Sequence, residues 1–191
     1  MSLGPTPSLS VSPSLNPPKS LPSFPMPSGD SSLAQINLNV TSFVANASNP
    51  PNSAPSGPFC AIGLPSLVRD ADGSVSIDAD DKMLLRVNRA RHGAAPVTLM
   101  FCIGPGTELR PKQIVFVQTN GNGDADGATN FRDRNPSDQT ISVRNHWLNR
   151  GRRAGPGGRN EAPRWKYYIR VQNSAGEFGW IDPGVENSEQ E

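Results

Sequence analysis

Charged side chains are nearly missing from the first 58 residues, where Lys19 and Asp30 are the only two. Twelve of the twenty prolines fall in the same stretch, set among serines and asparagines. A segment so composed has little apolar surface to offset the entropy of ordering it, so residues 1–32 are expected to form a disordered Pro/Ser-rich N-terminal arm. Cysteine is scarce as well. Cys60 and Cys102 allow at most one disulfide, which excludes the stapled framework of small secreted domains and leaves buried free thiols as the expectation. Only His92 and His146 are available as neutral-pH bases. No G-x-S-x-G elbow, Walker loop, H-E-x-x-H or paired-cysteine zinc spacing occurs, so the chain is expected not to be an enzyme, to carry no cofactor and to take no small-molecule substrate. No apolar run approaches the roughly 20 residues of a spanning helix, and the N-terminus has neither the basic start nor the apolar core of a signal peptide. The expectation is a soluble, cytoplasmic chain without membrane contact, with signal-independent export or packing into a virion as alternatives. Helical periodicity free of Gly and Pro is also absent.

Period-2 patterning is present instead. In "QINLNV" the side chains Ile36, Leu38 and Val40 share one face and Asn37 and Asn39 the other, as in a half-buried strand. Further strands are expected at 74–77, 83–88, 97–103, 113–118, 140–143, 165–172 and 177–181. They are separated by "DADGS", "RHGAAP", "GPG", "NGNGDADG", "NPSDQ" and "NSAGE". "VTLMFCI" is apolar on both faces, which marks a central strand. In "WKYYIRVQ" the set Tyr167, Ile169 and Val171 is expected to face the core, and Ser174, Ala175 and Gly176 to turn a hairpin that brings Trp180 back beside that strand. "DADG" at 70–73 reads as another hairpin turn. The whole predicts an Ig-like antiparallel β-sandwich of about seven to eight strands over residues 33–187, with a loop at 45–68, a basic loop at 150–163 and a polar tail at 188–191.

The succession "RPKQIVF", "TISV" and "RWKYYIRVQNSAGEFGWIDPGVEN" resembles the small bacterial β-sandwich proteins of the DP-EP family. The matching residues are Ile114, Val115 and Phe116, then Lys166, Tyr167 and Tyr168, then Gly176, Asp182, Pro183 and Asn187, spread over about 75–187. The resemblance implies a fold and no reaction. It also places the end of the final strand at Asp182-Pro183, where proline cannot donate to a ladder.

Two segments point to ligands. Seven basic residues, Arg144, Arg150, Arg152, Arg153, Arg159, Arg164 and Lys166, stand against the single acid Glu161 between positions 144 and 166. With Trp147, Trp165, Tyr167 and Tyr168 nearby, they could follow a phosphate backbone and stack bases. Equally, a long exposed connection needs soluble residues, and arginine stems cover aromatics. The second segment is "NGDADGATNFRD". It places Asn122, Asp124, Asp126 and Asp133 at positions 1, 3, 5 and 12 of a calcium-type loop, with Gly127 at the turn, although position 1 is neutral and Asx/Gly turn chemistry accounts for the same residues. The net charge of +1 gives no global pull toward a polyanion. The expected role is a non-catalytic structural or protein-interaction module, acting with a protein partner or in self-assembly. The alternatives are nucleic-acid or polyanion binding through 144–166 and a calcium-dependent binding module.

Overall fold

The computed structural model describes residues 32–50, 53–88, 96–104, 107–119, 130–146, 153–154, 160–161 and 164–188. Among these there is no helix. The first strands are β1 Leu33–Leu38, β2 Val40–Ser42, β3 Ala61–Ile62, β4 Ser66–Asp70, β5 Val75–Ile77, β6 Leu84–Asn88, β7 Val97–Ile103 and β8 Arg110–Gln118. The second half adds β9 Phe131–Pro136, β10 Thr140–Asn145, β11 Arg153–Ala154, β12 Asn160–Glu161, β13 Arg164–Gln172, β14 Phe178–Ile181 and β15 Gly184–Ser188. One sheet runs β4-β1-β7-β10-β9; the other runs β14-β13-β15-β6-β5, with β8 on the far side of β13. Their inner faces meet in one core that includes Ile36, Leu38, Leu99, Phe101, Phe116, Phe131, Tyr167 and Ile169. Alternating apolar side chains on each strand supply this layer, as the sequence pattern requires.

Three expectations are corrected by the topology. The sheets are mixed, because β1 runs parallel to β7 and β15 parallel to β6. The 70–73 turn is not a hairpin: β4 pairs with β1 in one sheet and β5 with β6 in the other, so this corner carries the chain between layers. Ala71 and Asp72 both have φ 54° and Gly73 has φ 78°, a run of left-handed residues that swings the backbone across while the Ala71 methyl is buried. Finally, Asp182-Pro183 does not end the last strand. Ile169 faces Ile181 and Lys166 faces Gly184, so β14 and β15 lie on β13 in one unbroken register. Only the outer neighbour changes there. Before Asp182 the carbonyls of Phe178 and Trp180 accept from Asn46 N at 2.6 Å and Cys60 N at 2.7 Å, and after Pro183 the partner is β6.

The expected loop at 45–68 contains β3 and most of β4, and its earlier half forms a strap over the second sheet. Val115, Tyr168 and Trp180 make a second buried cluster on that sheet's outer face, covered by Phe59. The strap is pinned. Trp180 Nε1 donates to Ser48 O at 2.9 Å, and the Asn46 amide donates to Ser56 O at 2.7 Å and Pro58 O at 2.9 Å. Gly179 makes this approach possible, since a Cβ there would lie 2.7 Å from both Cys60 Sγ and Val44 O.

The β5–β6 turn is held by Asp78. Its Oδ1 accepts from Asp81 N at 2.7 Å and Asp80 N at 2.8 Å, and its Oδ2 accepts from Arg86 Nε. The backbone bond from Asp81, followed by those from Arg86 and Asp80, holds the carboxyl at about 2. A lowered folded pKa means that the stabilisation is full above the ordinary aspartate value of about 4 and is lost as pH falls toward the folded one. Asp78→Asn is therefore expected to flatten the acid limb of stability between about pH 4 and pH 2, measured as the denaturation midpoint across that range. An unchanged acid limb would show that the carboxylate carries no part of it.

Candidate binding end of the sandwich

Strand register decides where the long connections leave. In the first sheet Leu33, Thr98, Arg144, Asn145 and Phe131 lie at one end, through the pairs Leu33–Thr98, Thr98–Arg144 and Asn145–Phe131. In the second, Trp165 pairs with Gln118 while Val87 faces both Asn187 and Val75. The 71–74 corner shows that these two ends are the same end of the molecule. From it depart residues 1–31, which enter at Ser32, the 89–95 connection, the 120–129 connection and the 147–163 connection. Ser32 is fixed there by Thr98 N donating to its carbonyl at 2.8 Å. The opposite end carries the strap between β2 and β3 and several shorter links. One is the 173–177 hairpin, in which Asn173 N and Glu177 O bond at 3.0 Å and Gly176 takes φ 84°.

Among the described residues, Arg144 and Lys166 do not share a face. Arg144 stands on the outer face of the first sheet, directly across from Arg132, whereas Lys166 stands on the outer face of the second sheet, 3.4 Å from Asp182 Oδ2. For Arg153 and Arg164 the backbone partners are Glu161 and Glu186. The β11–β12 ladder is a correction to the reading of 150–163 as loop throughout. Arg150, Arg152 and Arg159 lie outside the described residues.

Asn122, Asp124 and Asp126 also lie outside the described residues. Asp133, the last candidate calcium ligand, sits at a β-bulge with φ 54°, where the register of β9 against β10 shifts. Its Oδ2 is 3.8 Å from the Arg144 guanidinium and 4.0 Å from His146 Nε2, so basic groups occupy its nearest charged neighbourhood. Among the described residues no three His, Cys, Asp or Glu side chains cluster as metal ligands do. Cys60 and Cys102 are free and buried, and burial pushes both thiols up, more than the backbone bonds to Cys60 or the Gln35 bond to Cys102 bring them down. Neither is an activated nucleophile.

Two concavities escaped the sequence. An open groove of about 860 Å³ at the short-link end is lined by Glu108, Arg110, Asp138, Gln172 and Asn173 among others. A second, of about 480 Å³, lies on the outer face of the first sheet beside Arg144. Both depend on which strand ends and which faces come together, and no local pattern announces that.

No protein-family model matches the chain, and neither a curated protein nor a solved structure matches it. Among the described residues no helix is long and apolar enough to cross a membrane.

Proposed function

We propose that the chain is a non-catalytic structural or protein-interaction module of Ig-like type, whose contact surface is the end of the sandwich bearing residues 1–31, 89–95, 120–129 and 147–163. The convergence of these segments on one end carries the reading. Paired strands hold their roots at fixed spacing, and long connections on a rigid scaffold are where binding residues concentrate. The resemblance of the short motifs at 114–116, 166–168 and 182–187 to the DP-EP family supports the Ig-like assignment and suggests no reaction.

A protein surface, a second copy included, suits this end better than a polyanion does. The connection with Asp124 and Asp126 and the one with Arg150, Arg152, Arg153 and Arg159 root side by side, so both signs of charge are offered together. Nucleic-acid or polyanion binding is the second reading, favoured by the arginine density of 150–159. Against it, Arg144 and Lys166 stand on opposite faces and cannot extend one phosphate track.

Replacing Arg150, Arg152, Arg153 and Arg159 by serine distinguishes the two. The interaction-module reading expects the variant to elute from heparin near the wild-type salt concentration and to lose concentration-dependent association in sedimentation velocity. A large drop in elution salt with association intact favours the polyanion reading instead.

A further inference from the structure

The outer faces of the two sheets differ in charge. On the second, β13 turns Lys166 and Arg170 outward, and the strap lies over the apolar cluster beside them. On the first, Arg144 is the only charged residue in the three central strands β1, β7 and β10. The outward side chains of those strands include Gln35, Asn37, Thr98, Met100, Thr140 and Ser142, all partly exposed. Depletion of charge is the compositional mark of the centre of a protein–protein contact.

A pair of opposite charges borders this face at the loop-bearing end. Asp133 and Arg144 line one hollow of about 480 Å³ together with Thr98, Met100 and Ser142, which places both charges on the outer side of the sheet. Asp133 Oδ2 lies 3.8 Å from the guanidinium, beyond hydrogen-bond distance, and the two side chains are 55% and 56% exposed. So loose a pair contributes little within one chain. Its near neighbours are His146, whose Nε2 is 4.0 Å from the same carboxylate, and Arg132, which stands across from Arg144 and is engaged within the chain. An acid beside a base is self-complementary. Turned about a two-fold axis that runs between them, Arg144 of one copy meets Asp133 of the other, and the reverse contact follows by symmetry.

We propose that the partner of the loop-bearing end is a second copy of this chain, docked outer face to outer face through the first sheet, with reciprocal Arg144–Asp133 pairs at the border. The proposal rests on the reading of that end as the contact surface and names its occupant. Paired across the contact, the two charges fix the register in which the uncharged faces meet.

Sedimentation velocity of the purified full chain tests this, with the variants Arg144→Glu and Asp133→Asn; asparagine suits the left-handed backbone that Asp133 adopts at its bulge. A concentration-dependent dimer is expected for the wild type, and each variant alone should associate roughly tenfold more weakly. An equimolar mixture of the two variants should associate more tightly than either alone, because it keeps one Asp133–Arg144 pair and opposes no like charges. Recovery of that kind cannot come from misfolded chains. A wild type that stays monomeric overturns the proposal and leaves a different protein as the partner, and a mixture no tighter than its components overturns it as well. Association indifferent to Arg144→Glu but lost when Arg150, Arg152, Arg153 and Arg159 are replaced keeps the loop-bearing end and overturns the pairing through the sheet. Association indifferent to both sets removes both readings.

Discussion

Trp165→Ala is expected to lower the unfolding free energy by about 3–5 kcal/mol, the range for removing a large buried aromatic. Trp165 is 1% exposed, with its ring edge-on to Phe131 at 5.3 Å, and Phe131 in turn stacks on Phe116 at 3.8 Å. The substitution opens a cavity where the 147–163 connection meets the core. One position on, Lys166→Ala removes only a half-exposed ion pair with Asp182 and is expected to cost at most about 1 kcal/mol. Trp165→Phe should fall between them, since among the described residues the indole Nε1 has no hydrogen-bond partner to lose. Urea denaturation of the three variants measures the ordering. Equal losses for Trp165→Ala and Lys166→Ala would mean that the core does not begin at Trp165.

Trp180→Ala should cost a similar amount, about 3–5 kcal/mol, by a different route. Trp180 is fully buried on the outer face of the second sheet, and its Nε1 ties down Ser48 O. Removing it leaves the strap without its central anchor. Cys60, whose amide donates to the carbonyl of residue 180, then loses its cover. Disulfide-exchange reagents should therefore modify Cys60 much faster in the variant, while Cys102, in the other sheet, keeps its wild-type rate. Parallel acceleration at both thiols would indicate global loosening and would count against a separately packed strap.

How much could be read beforehand differs from strand to strand. "VTLMFCI" was expected as a central strand over 97–103, and β7 occupies those residues between β1 and β10. Its apolar content on both faces is a local property, so sequence is enough. The 173–177 hairpin is equally local, resting on Asn173 and on the positive φ of Gly176. In contrast, β4 "SLVRD" and β9 "FRDRNP" are not legible in the sequence, because both are edge strands with bulges and solvent-facing charges that blunt the alternation. β15 escapes the local pattern because Pro183 has the look of a strand stop. Proline removes one donor, and this strand continues because β13 holds its register on one side while β6 replaces the strap on the other.

The candidate site shows the same division. The acidic and basic segments stand out by composition, but their common root does not, because it follows from the register of strands that are mostly far apart in sequence rather than from anything within the segments. The separation of Arg144 from Lys166 has the same origin. Both are outward residues of their own strands, and only the packing of the two sheets places those outward faces on opposite sides.

The most direct test of the loop-bearing end as the contact surface is site-specific photo-crosslinking in producing cells. A photoreactive residue is placed singly at Asp72 and Arg144 at that end, and at Glu108, Asp138 and Ser174 at the other. All are surface positions whose replacement leaves the core untouched. The account predicts discrete covalent adducts from Asp72 and Arg144 and none from the other three. Adducts arising equally from Glu108, Asp138 and Ser174, or from those positions alone, would contradict it.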